Sequence, residues 1–229
     1  SITSSVSANT TSGFSIVSYT GTGSNATVGH GLGVAPSVII TKNRSTTSNW
    51  LVYHHKNTSA PQTDYLSLNL TSATADLNTP WNDTAPTSSV FSVGTASGSN
   101  GSGNDMIAYC FAEKKGFSKF GSYTGNGSTD GTFVYTGFKP AFIIAKVSDG
   151  TGSWLMHDTT RDIDNPVIED LYPNLSNAET GNTRYDILSN GFKLRNTFTN
   201  SNNSGSTYIY MCFASNPFVT STGVPATAR

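Results

Sequence analysis

The sequence predicts an all-β protein made of one β-sandwich module used twice, and three observations carry that prediction. The strand Pro36-Ser-Val-Ile-Ile-Thr-Lys42, followed by Trp50-Leu-Val52, returns at one constant offset as Pro140-Ala-Phe-Ile-Ile-Ala-Lys146 and Trp154-Leu-Met156. An internal repeat of this length means that one supersecondary unit has been duplicated. The apolar residues lie in short runs rich in Val, Ile, Phe and Tyr, separated by Gly, Ser, Asn and Thr turns, the pattern of many short antiparallel strands. No stretch sustains a 3.6-residue period over three turns. Together these give tandem β-sandwiches with a jelly-roll-like arrangement of strands.

Residues 1–12 are polar with no sustained pattern and read as a leader or linker. The first module, residues 13–115, opens with the alternating strand Gly13-Phe-Ser-Ile-Val-Ser-Tyr19. Thr20-Gly-Thr-Gly-Ser24 is a turn, and a short strand carries Val28. Pro36 fixes φ and cannot donate to a ladder, so it belongs at the start of the strand that follows. Residues 45–49 turn the chain into a return strand at 50–54. Tyr65-Leu-Ser-Leu-Asn-Leu70 alternates, placing Leu66, Leu68 and Leu70 on one face. A long polar loop with Trp81 leads to Val90-Phe-Ser-Val93, a Gly/Ser/Asn loop at 96–105, and a closing strand at 106–113. That closing strand is nearly continuous in apolar residues, which places it centrally in its sheet.

The second module, residues 116–218, repeats this order. Tyr123-Thr-Gly-Asn-Gly-Ser128 matches Tyr19-Thr-Gly-Thr-Gly-Ser24, Asn174 matches Asn69, Phe192 matches Phe91, and Cys212-Phe-Ala matches Cys110-Phe-Ala. The exit Asn216-Pro217-Phe218 stands where Lys115-Gly116-Phe117 stood. The tail 219–229 has no counterpart. The best helix candidate is 165–172, confined to the second copy.

Composition narrows the function classes. Charged residues are 12% of the chain and the net charge is −1, so neither nucleic acid phosphate nor an anionic bilayer finds an electrostatic partner. No run approaches the roughly 18 apolar residues of a membrane helix. Cys110 and Cys212 occupy equivalent places and read as core thiols. A disulfide between them would need Cα atoms within about 7 Å, which equivalent points on two modules reach only near a pseudo-symmetry axis.

The repeated signature runs Gly-Phe-Ser, Tyr-Thr-Gly-x-Gly-Ser, Gly-Leu-Gly-x-x-Pro-x-x-Ile-Ile-x-Lys, Trp with an apolar strand, and Cys-Phe-Ala. It resembles an uncharacterised repeat domain of structural proteins of tailed bacteriophages, especially those of marine bacteria and cyanobacteria, over residues 13–218. The resemblance implies a virion-surface location and a fibre-like, adhesive role, and it brings no catalytic residues with it.

The remaining polar residues offer a few candidate sites. His54-His55 neighbour each other on a strand and so point to opposite faces, reading as a strand end facing solvent; His30 lies on a Gly-rich turn. The acidic run Asp158-Thr-Thr-Arg-Asp162-Ile-Asp164 offers oxygen ligands at alternating positions, as calcium requires, although Arg161 sits inside it. No other cofactor is suggested. Trp81, with Asn82 and Asp83 beside it, does not repeat, and an exposed ring next to amide and carboxylate groups is what sugar recognition needs. Pro36, Lys42, Trp50, Pro140, Lys146, Trp154, Cys110 and Cys212 repeat and therefore read as structural anchors. No nucleophile elbow or nucleotide loop is present.

The expected function is a non-enzymatic virion protein, a fibre, appendage or capsid-surface component acting in assembly and host attachment. Its expected partners are further copies of itself, as a trimer, other virion proteins and a host-surface glycan, with no nucleic acid and no membrane insertion. The alternatives are a lectin-like module for host polysaccharide and an ancillary module of a secreted glycosidase.

Overall fold

The computed structural model describes residues 1–215. The Asn216-Pro217-Phe218 exit and the 219–229 tail lie outside the described residues. The chain divides into two compact units, Ser1–Leu70 with Thr74–Glu113, and Thr71–Ala73 with Lys114 onward, next to the predicted module boundary. Both are antiparallel β-sandwiches.

The first unit contains β1 (Ser4–Asn9), β2 (Phe14–Thr20), β3 (Ala26–Gly29), β4 (Val38–Asn43), β5 (Leu51–His54), β6 (Asp64–Ser67), β7 (Ala75–Asp76), the one-turn helix α1 (Asn78–Trp81), β8 (Val90–Val93), the one-turn helix α2 (Ser97–Asn100) and β9 (Asp105–Phe111). One sheet has the order β1-β2-β9-β4-β5-β6-β7, and β3 pairs β8 in the second layer. The closing strand β9 is central, as its apolar run predicted. Alternation along β2, β4 and β9 sends Val17, Tyr19, Ile39, Met106, Ala108 and Cys110 inward, against Val28, Phe91 and Val93 of the small layer.

The second unit contains β10 (Ser118–Thr124), β11 (Phe133–Tyr135), β12 (Phe142–Val147), β13 (Leu155–Asp158), β14 (Val167–Asp170), β15 (Thr180–Leu188), β16 (Gly191–Leu194), the one-turn helix α3 (Thr199–Asn202) and β17 (Thr207–Phe213). Its sheets run β10-β17-β12-β13 and β11-β16-β15-β14. The first repeats β2-β9-β4-β5, and β11-β16 repeats β3-β8. Pro36 and Pro140 are both buried just ahead of the first ladder bonds, Ser37 N–H to Phe111 O and Ala141 N–H to Phe213 O, each 2.7 Å.

Three expectations are corrected. Residues 1–12 are not a leader: β1 pairs β2 over six residues, and Ile2 is buried where it bridges Val28. Backbone pairing at a sheet edge needs no apolar pattern, so composition could not reveal it. Residues 165–172 are not helical. Asn165 donates to Ile187 O at 2.9 Å and accepts from Ile187 N–H at 2.8 Å, leading β14 onto β15; β-branched Val167 and Ile168 suit that strand. The 65–70 strand is shorter than its alternation suggested, since β6 ends at Ser67 and Leu70 is exposed.

Candidate functional site

Both units share a polar clamp that explains the Tyr-Thr-Gly-x-Gly-Ser text. Asn100 and Asn202, each at the last position of its one-turn helix, are fully buried. Asn100 Oδ1 accepts from Thr22 N–H at 2.7 Å, while its Nδ2 donates to Ser24 O and Gly94 O, both at 2.7 Å. Asn202 accepts from Asn126 N–H at 3.0 Å and donates to Ser128 O at 2.8 Å and Asn196 O at 2.7 Å. Tyr19 Oη donates to Ser99 O at 2.5 Å, and Tyr123 Oη to Ser201 O at 2.8 Å. A Cβ at Gly21 or Gly125 would run into the carbonyl of Gly101 or Asn203, so the glycine of that motif answers a close backbone approach. The sequence did carry a signal for the clamp, because Ser-Asn recurs at 99–100 and 201–202 inside loops that read as unstructured.

The predicted glycan site at Trp81, Asn82 and Asp83 is not a surface. Trp81 is 2% exposed, ends α1 in the first core, and meets Tyr53 edge-to-face at 6.1 Å. Asn82 and Asp83 adopt left-handed backbone (φ 51° and 46°), the chain reversal that puts the ring inside. Asn82 Oδ1 accepts from Asn25 Nδ2 at 2.6 Å.

The predicted calcium ligands do not converge. Asp158 caps Thr160 and Arg161 N–H and pairs with Arg161 Nε at 2.6 Å. Burial raises its pKa, but the Arg161 bonds outweigh burial and hold it below the usual carboxylate value. Asp162 accepts from Ile168 N–H and from Glu169 N–H at 2.9 Å, and Asp164 is exposed. Arg161, also paired with Glu179, supplies the positive charge a cation would bring. Among the described residues no cluster of three or more His, Cys, Asp or Glu is placed to hold a metal.

His54 is not a solvent-facing strand end, whereas its neighbour His55 is partly exposed. His54 is buried and its Nδ1 accepts from Lys56 N–H at 3.1 Å; His55 lies 3.8 Å from Glu113. His30 is buried, between Thr87 O and Leu32 N–H. His157 is 2% exposed, its Nε2 2.7 Å from Asp170 Oδ1. Asp170, fully buried, also takes Arg184 Nε at 2.9 Å and Nη2 at 2.5 Å, Tyr172 Oη at 3.0 Å and Asn182 Nδ2 at 3.2 Å. Burial pushes its carboxyl up, yet the His157 and Arg184 bonds hold it below the ordinary value. This closed network is second-unit scaffold: His157 stands where Tyr53 stands in the first unit, and meets Tyr185 edge-to-face at 5.0 Å as Tyr53 meets Trp81.

Of the repeated anchors, Cys110 and Cys212 are free thiols buried in separate cores. Burial pushes the Cys110 thiol up to about 12, opposed by a Ser15 hydrogen bond. Trp154 is buried, but Trp50 is only half-buried, so its reading as a core anchor is corrected: it is a surface ring. It stacks on half-buried Tyr109 at 6.4 Å and 20°, and Tyr109 stacks on Phe14 at 6.5 Å and 6°. Lys42 Nζ sits 5.8 Å over the Trp50 ring and donates to Ser48 O at 2.5 Å. Lys42, Arg44, Trp50 and Tyr109 line a groove of about 680 Å³ on the first unit. A second concavity there, about 420 Å³, is lined by Tyr65, Asn49, Asn69 and Leu77. Asn69 is spent on structure in it, accepting from Trp50 N–H at 2.9 Å and donating to Asn49 at 3.0 Å.

A family model described as a domain of unknown function (DUF7483) matches residues 1–217. The chain belongs to that family. The match takes in β1 with both sandwiches, so the DUF7483 domain corresponds to the duplicated pair rather than to one module. No curated protein and no solved structure matches the chain.

Proposed function

We propose that this DUF7483 protein is a non-enzymatic structural component of a phage virion, a fibre, appendage or capsid-surface element that acts in assembly and host-surface attachment. The observation that carries the reading is the repeated signature, which resembles phage virion repeat domains. Its Tyr, Gly and Pro positions serve scaffold roles here: the Tyr and Gly positions belong to the Asn100 and Asn202 clamps, and the Pro positions start core strands. A stiff module used twice suits a protein whose chemistry is shape, and homo-oligomerisation, as a trimer, suits a fibre or vertex. Light scattering of the purified chain, with gold-labelled antibody on virions of the encoding phage, tests this. A trimer that labels the particle surface is expected; a monomer absent from particles would sink the proposal.

The lectin-like reading is favoured by one feature, the half-buried Trp50, Tyr109 and Phe14 rings lying nearly parallel on one sheet face. It makes host attachment a sugar-binding event.

A further inference from the structure

We infer that the Trp50–Tyr109 groove of the first unit binds an acidic polysaccharide, a chain of carboxylate-bearing sugars, through its stacked rings and the Lys42 and Arg44 cations. This deepens the attachment reading and rests on it. The groove's volume, about 680 Å³, falls within the roughly 300–1,000 Å³ of small-ligand sites. Its floor is Trp50, Tyr109 and Ile107, half-buried on the outer face of the seven-stranded sheet. The Trp50 and Tyr109 rings, within 20° of parallel, give the groove an aromatic floor against which the apolar face of a pyranose ring can pack.

The charge is what narrows the ligand. Among the described residues, two cations and no carboxylate line the groove, in a chain whose net charge is −1. Lys42 is positioned in advance, its ammonium held over the Trp50 ring by Ser48 O. Arg44 is exposed and has no ion pair among the described residues. Its guanidinium is therefore available for a bidentate carboxylate contact, the strong kind of charge-assisted hydrogen bond. The rim is also preformed, because Asn43 Oδ1 accepts from Ser45 and Thr46 N–H at 3.0 and 3.1 Å. Single-stranded nucleic acid also uses rings and cations, but it needs a positive track along several nucleotides, which two cations do not make.

The second unit supplies an internal comparison. At the positions of Arg44 and Tyr109 it carries Ser148 and Met211, both opposite equivalent partners: Arg44 N–H bonds Asp105 O as Ser148 N–H bonds Thr207 O, and Ile40 faces Tyr109 as Ile144 faces Met211. The scaffold therefore tolerates Ser and Met there, and Arg and Tyr are additions of the first unit. The same comparison supplies variants that keep the fold, Arg44→Ser and Tyr109→Met.

The test is calorimetric titration of the full chain with galacturonate oligomers, their methyl-esterified form and an oligo-dT of matching length. The acidic oligomer is expected to bind, and the ester roughly tenfold more weakly, since one charge-assisted contact is lost. Arg44→Ser should weaken the acid roughly tenfold and leave the ester unchanged. Tyr109→Met should weaken both, with melting temperatures held near wild type. Equal affinity for acid and ester, tighter binding of oligo-dT, no binding of the uronate, or indifference to both variants would each overturn the assignment. Particle labelling reads the virion proposal separately: labelled particles with no sugar binding would remove this groove and leave the structural role standing.

Discussion

Lys146 gives the sharpest test of how the second unit is held together. Its side chain is fully buried, and its ammonium donates to Val147 O at 2.5 Å and Gly150 O at 3.4 Å. Burial pulls its pKa from 10.5 down to about 8, with Asp149 pulling the other way. A lowered lysine means that the folded state resists the proton. Below pH 8 both states carry it and the cost of the buried charge is present in full. Between about 8 and 10.5 the unfolded chain holds the proton and the folded chain does not, so stability rises with pH. At about 1.4 kcal/mol per pKa unit, wild type should gain about 2.5 kcal/mol between pH 7 and pH 10 relative to Lys146→Met. Urea unfolding of both proteins at fixed ionic strength reads that difference. The tyrosines and other lysines are common to the pair and cancel. Whether Lys146→Met is more or less stable at pH 7 does not matter, because the two lost carbonyl contacts shift its curve without adding a slope. Parallel curves, agreeing within about 0.5 kcal/mol across the window, would refute the reasoning.

Asn100→Ala and Asn202→Ala should each cost about 2–4 kcal/mol in denaturant unfolding, since each strands buried backbone groups in its own unit. Asp170→Asn should cost about 3–5 kcal/mol at pH 7 by leaving Arg184 buried without its counter-charge. Asp170 is held below the ordinary carboxylate pKa, so its contribution is present above about pH 4 and lost as pH falls through its folded value. The gap between wild type and Asp170→Asn should therefore close in acid, and a gap constant down to pH 2 would refute this. Trp81→Ala should lose about 3–5 kcal/mol through a core cavity while leaving galacturonate affinity unchanged in protein that remains folded; a selective loss of binding would return Trp81 to the surface.

What was legible in the sequence followed the physics of burial. Strands with an apolar alternation, such as β2, β4 and β9, and the central place of β9, could be read because one face must meet a core. Duplication was legible because it was textual. The misreadings of residues 1–12 and of the Trp81 loop share a cause: polarity was taken as exposure. β1 is built mostly of Ser, Ala and Asn, with a single exposed Val6, and is held by ladder bonds along a sheet edge. Trp81 sits among Thr, Pro, Asn and Asp, and its lack of a repeat suggested an outward role. Yet the second unit fills the equivalent space with Tyr185 from β15, a hairpin the first unit lacks. The His157–Asp170–Arg184 network had no sequence signal, since its members come together only through pairing of β13, β14 and β15 with their neighbours.

Failure to repeat thus has two physical meanings, and burial separates them. At the Tyr53/His157 position the copies differ because each seals its core in its own way, with Trp81 in one and a charged network centred on Asp170 in the other. A buried difference must be matched by its neighbours, so it changes in sets: His157 comes with Asp170, Arg184 and Tyr185. At Arg44/Ser148 and Tyr109/Met211 the backbone pairing is the same in both copies, while Arg44 is exposed and Tyr109 half-buried in the first unit and Ser148 and Met211 are buried in the second. Tyr109 packs against Trp50 and Phe14, and among the described residues no side-chain hydrogen bond or ion pair joins it to Arg44. That first-unit Arg44 and Tyr109 share one groove with Lys42 and Trp50 fits the ligand we infer there, and this is why the groove, rather than the tryptophan loop, is the place to look for recognition.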